Sequence, residues 1–380
     1  MKKIGIMTFY IPNYGSVLQG YASKTFLQKN GYEAVMLDSD RFGVSDEELA
    51  EAGNRHPECI EIYQNFIKSL TGNAAIVSEK SLACLADFIK EELSPEAHSI
   101  PELERIAATD EFAAFIIGSD QVWNVSLGII TKQFFLLFAP PEKRIPLCPS
   151  FGAGQIHEFL KEDLAEVLKQ YERLSVREED GVRIIKELTG RDAVRLADPT
   201  ILLTPDEWRE FAGVSPDDEK GYLLLHFLNA PNKIAVKNIR YLAETTGMPV
   251  RAFSTGYPEY EAIEGVEHID GGPRDYVRII ANAGLVCTDS FHTTMFSINL
   301  DTDFYAFDRQ YVHGVSEISR FTTLLNRYDL NERMILDEDF VPDPDHLKIT
   351  KDRSSIRDEE RNTAKNYLLQ AIQDTVNSAE

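Results

Sequence analysis

Short apolar runs alternate with longer stretches whose apolar positions recur at helical spacing, and this alternation extends along most of the chain. Lys3 to Tyr10 (KIGIMTFY) reads as a buried strand, and Pro12-Asn13-Tyr14-Gly15 as the turn that follows. Ser16 to Asn30 reads as a helix with a partly apolar face of Val17, Leu18, Tyr21, Thr25 and Leu27. Gly31 stands where a C-cap belongs, and Ala34 to Leu37 is a second strand ending in Asp38. Strand, helix, strand is the opening of a doubly wound α/β domain. The segment lacks G-x-G-x-x-G, so the dinucleotide fingerprint is absent. From about Ser45 to Ile100 the pattern is helical and acidic, with segments near Asp46 to Ala52, Cys59 to Leu70 and Glu79 to Leu93. Such an insertion suits a lid, a partner surface or a solvated cap.

The α/β alternation then resumes with a strand at Phe112 to Ile117 and a polar loop, Gly118-Ser119-Asp120-Gln121-Val122-Trp123-Asn124. Arg144 to Pro149 leads into Ser150-Phe151-Gly152-Ala153-Gly154. After it come a helix over Glu158 to Tyr171, a strand at Leu174 to Val176, a helix over Glu178 to Leu188 and a strand near Ala193 to Leu196. Asp198-Pro199-Thr200 closes that series, Asp206 to Phe211 is a short linking helix, and Ser215 to Gly221 (SPDDEKG) has boundary composition. A second series opens with Tyr222 to Phe227 (YLLLHF), a run suited to a strand covered on both faces. Its helices fall at Lys233 to Thr246, Pro273 to Ala283 and Ser316 to Asn326, and its strands at Val250 to Phe253, Leu285 to Thr288 and Asp303 to Phe307. Ser355 to Ser378 is an amphipathic helix with Ala364, Leu368, Ala371, Ile372 and Val376 on one face, placed to cross back and brace the first domain. The predicted organisation is an N-terminal Rossmann-like domain over 1–212 carrying the insertion at about 45–100, a second over 213–352, and a C-terminal helix over 353–380. Ligands in open α/β sheets bind outside the carboxyl ends of the strands, so two such domains facing each other would hold substrates in the cleft between them.

At 380 residues the chain is too long for one ordinary core, which agrees with two domains. Its 39 Lys and Arg against 62 Asp and Glu give a formal charge of -23, a field that repels nucleic acid and anionic membranes, and no basic cluster relieves it. An anionic ligand therefore needs a local basic patch or a helix N-terminus. Cys59, Cys84, Cys148 and Cys287 are widely spaced with no C-x-x-C pair, so they read as reduced thiols rather than a zinc site or disulfide scaffold. The N-terminal residues carry two lysines but no sustained apolar region, and no run approaches 18 apolar residues. The expectation is a cytoplasmic protein with no membrane span.

The most informative stretch is Leu285-Val286-Cys287-Thr288-Asp289-Ser290-Phe291-His292-Thr293-Thr294-Met295-Phe296-Ser297-Ile298. A short buried strand is followed by a polar turn and by Phe291, Met295 and Ile298 at helical spacing, so His292 falls in the first turn of a helix, where free N–H groups and the dipole favour anions. The alternative is that Asp289 or Ser290 merely caps the helix and His292 is a half-buried side chain. Arg177 follows an apolar strand and precedes a helix, a position from which its fork reaches phosphate or carboxylate; the alternative pairs it with Glu178 or Glu179 at the surface. Trp123 suits either a sugar ring or the core. No H-E-x-x-H, H-x-H, calcium loop or G-x-S-x-G occurs, so neither a metal site nor a hydrolase elbow is indicated.

Taken in order, Ile4-Gly5-Ile6 with Asn13-Tyr14-Gly15-Ser16-Val17-Leu18-Gln19, then Gly118-Ser119-Asp120-Gln121-Val122-Trp123-Asn124, resemble the polysaccharide pyruvyl transferase family. Ser150-Phe151-Gly152, Ser175-Val176-Arg177-Glu178, Asp198-Pro199-Thr200 and Thr288-Asp289-Ser290-Phe291-His292 continue the match from residue 4 to about 307. The resemblance implies two facing Rossmann-like domains of the two-domain (GT-B type) glycosyltransferase kind. It further implies transfer of a pyruvyl group from phosphoenolpyruvate to a sugar as a cyclic ketal, with release of phosphate and no cofactor. Carried over, it makes His292 the catalytic histidine, Arg177 a donor-binding cation and Asp120 a residue near the acceptor sugar. Asn13, Tyr14, Gly15, Ser16, Gln19, Ser119, Gln121, Trp123, Ser150, Gly152, Ser290 and Thr293 are the expected substrate contacts. The partners implied are a small donor and a glycan or lipid-linked sugar. Family members often have Arg two residues before the histidine, where this chain has Ser290, a departure that bears on the donor. A nucleotide-sugar glycosyltransferase of the same architecture, releasing nucleoside diphosphate, and a non-catalytic glycan- or anion-binding protein remain the alternatives.

Overall fold

The computed structural model describes residues 1–10, 13–38, 44–72, 77–125, 128–152, 154–309 and 318–378. Pro12, Ala153 and the first two residues of the helix expected at Ser316 lie outside them. The chain divides into two compact units, one of Met1–Gly72, Ile89–Leu202 and Glu359–Glu380, the other of Asn73–Phe88 and Leu203–Asp358.

Unit 1 begins with β1 (Lys3–Met7), α1 (Tyr14–Lys29) and β2 (Glu33–Asp38). The strands are continuous apolar runs, as a parallel sheet covered on both faces requires. The insertion supplies α2 (Asp46–Arg55) and α3 (Glu58–Gly72) to this unit and α4 (Glu79–Phe88) to unit 2. Helix α2 starts at a capping box, in which Ser45 Oγ accepts from Glu48 N and Glu48 reaches back to Ser45 N, and it buries none of its residues. A π-helical turn at Ile89–Leu93 follows α4; its last carbonyls, on Glu92 and Leu93, each accept from Lys24 Nζ at 2.8 Å. The unit continues with β3 (Glu96–Ala97), α5 (Ile100–Ala107), β4 (Phe112–Ile117), β5 (Arg144–Pro146), α6 (Lys161–Lys169), β6 (Ser175–Val176), α7 (Glu179–Thr189) and β7 (Val194–Arg195).

The main sheet of unit 1 is parallel in the order β3-β2-β1-β4-β5, and β6 and β7 form a separate parallel pair. The chain winds outward from β1 through β2 to β3, then returns to place β4 on the other side of β1. The carboxyl ends of β1 and β4 are therefore the topological switch point, where a crevice opens in folds of this type. Two glycines permit the close approach there. A Cβ on Gly5 would lie 2.7 Å from side-chain atoms of Leu37 and Phe115, and one on Gly118 would lie 2.6 Å from Thr8 Cβ.

Unit 2 consists of α4, α8 (Pro205–Ala212), β8 (Leu223–His226), α9 (Lys233–Thr246), β9 (Val250–Phe253), β10 (Glu267–Ile269), α10 (Pro273–Asn282), β11 (Leu285–Thr288), α11 (Phe291–Leu300), β12 (Phe304–Phe307), α12 (Ile318–Tyr328) and β13 (Met334–Ile335). Its parallel sheet runs β10-β9-β8-β11-β12-β13 and repeats the winding of the first, so its switch point lies at the ends of β8 and β11. Helix α11, ten residues long, is buried on every side.

The last helix, α13 (Ser354–Ser378), contributes residues from Glu359 onward to unit 1. There Ala364, Leu368, Ala371 and Ile372 are buried, Arg195 pairs with Glu360 at 2.5 Å, and Arg361 Nε donates to Ile201 O at 2.8 Å. No helix among the described residues is long and apolar enough to cross a membrane.

Candidate active site

The strand-end segments of unit 1, far apart in sequence, meet in one hydrogen-bonded network at its switch point. Asn13 caps α1, with Oδ1 accepting from Gly15 N at 2.9 Å and Ser16 N at 3.5 Å. That cap aims Ser16 Oγ at Asp120, to whose Oδ2 it donates. Gln19 Nε2 donates to Thr8 Oγ1, Phe9 O and Ser16 O, and Thr8 Oγ1 donates to Ser119 O, which ties α1 to the ends of β1 and β4. Tyr14 and Gly15 are buried in the first turn of α1.

Asp120 stands at φ +71°, in the left-handed region that disfavours a side chain. Its Oδ1 accepts from Gln121 N at 2.9 Å and its carbonyl from Ser150 N at 2.8 Å, so several bonds hold the strained conformation. Gly152, at φ +71°, lies under the amides of Gln121 and Asn124; a Cβ there would fall 2.4 Å from Gln121 Oε1. Asn124 Nδ2 donates to Gln121 Oε1 at 2.6 Å, and Gly152 N donates to Ser150 Oγ at 3.0 Å. Ser150 Oγ in turn donates to Glu178 Oε1.

Arg177 is buried, and the carboxylates it meets are the protein's own. Nη1 lies 3.0 Å from Asp198 Oδ2 and Nε 3.4 Å from Glu178 Oε1. Burial works against its charge, and Glu178, Asp198 and Asp120 more than offset that, holding the guanidinium above its ordinary pKa. Asp198 also accepts from Ser119 Oγ and, through Oδ1, from the N–H and hydroxyl of Thr200 at 3.0 Å each. Trp123 lies in the core, fully buried: its ring stacks on Phe135 and packs against Phe151 and Tyr171, and Nε1 donates to Phe134 O at 3.0 Å. Its faces and its polar edge are thus engaged within the protein. Burial, and next to it Asp198, push the Cys148 thiol well above its ordinary pKa, which keeps it from being a ready nucleophile.

At the switch point of unit 2, Ser290 is the N-cap of α11: its Oγ accepts from Thr293 N at 3.3 Å, and its own N–H donates to Thr288 Oγ1 at 2.9 Å. His292 occupies the second position of the helix and is buried, with its ring against Phe291. Asp289 clamps the loop after β8, with Oδ1 and Oδ2 accepting from the N–H groups of Leu228 (2.6 Å) and Asn229 (3.1 Å). Burial raises the Asp289 pKa, and Arg309 opposes the rise from 3.5 Å away while donating through Nη2 to Asp289 O at 3.0 Å.

Three residues of this network escaped the sequence reading: His226, Tyr276 and Arg309. A signal existed for two of them, since His226 is the single polar residue inside YLLLHF and Arg309 follows the strand FYAF by two positions. His226 Nδ1 lies 2.6 Å from Thr293 Oγ1, and Tyr276 OH lies 2.8 Å from the same oxygen. Burial, with a contribution from Arg309, pushes the His226 pKa down to about 3. Because the folded value lies below the ordinary value of about 6.5, the unfolded chain takes up the proton first as pH falls. The contribution of neutral His226 to stability is therefore complete above about pH 6.5 and is lost progressively toward pH 3, with a slope of at most about 1.4 kcal/mol per pH unit. Urea unfolding between pH 7 and pH 4 should show this slope, and His226→Asn should flatten it; an unchanged pH dependence would refute the assignment.

A separate pocket of about 280 Å³ lies between α2 and α6, lined by Arg55, His56, Ile129, Leu160, Asp163 and Val167 among others. None of the residues described above as candidates for chemistry lines it. Among the described residues, no group of three or more His, Cys, Asp or Glu is arranged to hold a metal ion.

Two doubly wound α/β units, each with polar side chains gathered at its switch point, are the parts of the GT-B type fold, and a solved structure shares it. A UDP-GlcNAc 2-epimerase from Neisseria meningitidis, bound to UDP-GlcNAc, matches over 98% of this chain and 100% of its own, with a TM-score of 0.51 at 9% identity. The corresponding epimerase from Methanocaldococcus jannaschii covers 99% and 93% (TM-score 0.48, 12% identity), and an E. coli heptosyltransferase with ADP covers 98% and 100% (TM-score 0.38, 13% identity). Among curated proteins no sequence matches. The family model of the polysaccharide pyruvyl transferases matches residues 13–311, most of the chain. The chain belongs to the polysaccharide pyruvyl transferase family, and it is a transferase of polysaccharide biosynthesis.

Proposed function

We propose that the protein transfers a pyruvyl group from phosphoenolpyruvate to a sugar of a glycan or lipid-linked saccharide, forming a cyclic ketal and releasing phosphate. The observation that carries the reading is the gathering of the family-pattern segments at the two switch points, with His292 in the first turn of α11 behind the Ser290 cap. The positive dipole at that helix end suits the donor's anionic groups, and Arg309 adds a cation beside Asp289. At the unit 1 switch point one guanidinium faces Glu178, Asp198 and Asp120, an excess of negative charge. That cluster favours hydroxyl donors over an anion, so it suits the acceptor sugar, with Asp120 as its contact and Arg177 as the cation that organises the carboxylates. This assignment replaces donor binding as the role of Arg177.

In the reaction His292 delivers a proton to the methylene carbon of the donor, and one sugar hydroxyl attacks the adjacent carbon. Phosphate leaves with the electron pair of its C–O bond, and a second hydroxyl closes the ketal. Of the two hydroxyl protons released, one replaces the proton given to the methyl group and the other leaves with phosphate. The site of action expected is the cytoplasm, where phosphoenolpyruvate is made.

The test is to incubate the full chain with phosphoenolpyruvate and a panel of glycans, following inorganic phosphate and the mass of each glycan. Phosphate release coupled to a glycan carrying one pyruvyl ketal is expected. No ketal with any acceptor, together with nucleoside diphosphate released from a nucleotide sugar, would replace this reading with glycosyl transfer.

A further inference from the structure

In unit 2 the hydroxyl of Thr293 joins three elements of the fold. His226 Nδ1 reaches it from the end of β8 at 2.6 Å, and Tyr276 OH reaches it from α10 at 2.8 Å. All three side chains are buried, and the imidazole is flanked by the rings of Phe253 and Tyr276 at centroid distances of 5.1 and 5.4 Å. Thr293 is also fixed through its backbone, whose N–H donates to the Ser290 cap, and His292 lies between those two residues. A helix turn held at once by its cap and by a buried side-chain bond has little freedom to rotate.

We propose that His226 is a positioning residue for His292: a neutral imidazole whose unprotonated Nδ1 accepts the Thr293 hydroxyl proton, while Tyr276 donates to Thr293 Oγ1. The inference rests on His292 being the proton donor of the transfer. A threonine hydroxyl can accept twice but has one proton to give, and the partners of this buried hydroxyl are His226 Nδ1 and Tyr276 OH, so one of them must accept that proton while the other donates. The phenol, the more acidic hydroxyl, is the natural donor, and that leaves the threonine proton for the imidazole. An imidazolium could only donate through Nδ1, which would reverse the chain. The groups facing His226 do not favour that form: Arg309 acts on it from beyond β12, Tyr276 and Thr293 present hydroxyls, and Phe253 presents a ring.

Two measurements on the full-length chain test the proposal. In the first, nitrogen-15 spectra of histidine-labelled protein between pH 5 and 8 should contain a neutral ring with unprotonated Nδ1 that vanishes in His226→Asn. The ring signals of His292 should move in His226→Gln and Thr293→Val and keep their place in His226→Asn, whose amide oxygen falls where Nδ1 stood. A His226 ring that titrates in this range or carries its proton on Nδ1, or a His292 ring indifferent to both disruptive variants, overturns the proposal, whether or not pyruvyl transfer occurs. In the second, phosphate release from phosphoenolpyruvate is followed with an acceptor that supports it. His226→Asn should keep kcat within about threefold of the unsubstituted protein. His226→Gln and Thr293→Val should lower it about 10- to 100-fold with the donor KM within about twofold. Equal activity of the Asn and Gln variants would mean that His226 only fills space, and would also overturn it. Absence of phosphate release from the unsubstituted protein would count against the transfer reading alone, and the spectra would still decide the role of His226.

Discussion

Replacing His292 by alanine should lower kcat for ketal formation by about 10²- to 10⁴-fold, the range that a positioned general acid contributes. In the proposed reaction, protonation of the donor's methylene carbon makes the adjacent carbon electrophilic toward the first sugar hydroxyl, so loss of the positioned proton source slows formation of both C–O bonds. The fold should survive, because what ends β11 and starts α11 does not depend on the imidazole: Ser290 caps the helix, Thr288 Oγ1 donates to His226 O at 2.6 Å, and Asp289 holds the loop after β8. Since α11 is buried throughout, the vacated ring volume should cost about 1–3 kcal/mol. His292→Gln, which fills more of that space, should recover stability without recovering rate. The decisive comparison is turnover beside the urea midpoint of each variant. Near-normal turnover in His292→Ala would end the proposal, and loss of turnover accompanied by unfolding in both variants would show that the histidine serves structure.

The central strands of both sheets are legible because parallel strands covered on two faces must be apolar at consecutive positions, whereas the edge strands β3, β10 and β13 are not. FAAFII and LVCT are such runs, and they span β4 and β11 residue for residue. β10 (EHI) escaped notice because it is an edge strand with two of three residues exposed, so no burial pattern marks it; β3, two exposed residues, failed for the same reason. At the candidate site the sequence shows where polar residues follow strands but not what they meet. Asp289 and Ser290 were both possible caps, and the choice of Ser290 follows from Asp289 being drawn to the N–H groups of residues 228 and 229, sixty positions away. His226 shows the same limit. A lone histidine in an apolar run is visible, yet its role depends on Thr293 and Tyr276, which only the winding of the sheet brings to it.

Arg177 was the residue whose alternatives differed most, a ligand-binding fork or a surface pair with its neighbouring glutamates. Its buried position between Glu178 and Asp198 gives the second largest expected effect. Substituting Arg177→Met should cost about 3–5 kcal/mol of unfolding free energy, because it leaves two buried carboxylates without their cation. Most of that cost is the penalty of unpaired charge, so neutralising the partners should remove it: Arg177→Met combined with Glu178→Gln and Asp198→Asn should regain more than half of the lost stability, even though three polar groups have been changed. Urea unfolding of the single and triple variants measures both quantities. The kinetic signature separates this role from a direct contact with the donor. A cation that touched phosphoenolpyruvate would raise the donor KM on substitution and leave stability nearly unchanged. A cation that holds Asp120, Glu178 and Asp198 in one cluster should instead lower stability and, in Arg177→Lys, weaken acceptor use first, since a single ammonium cannot meet Asp198 and Glu178 with the geometry of the fork. A stability loss below about 1 kcal/mol in Arg177→Met, with a raised donor KM, would return Arg177 to the donor.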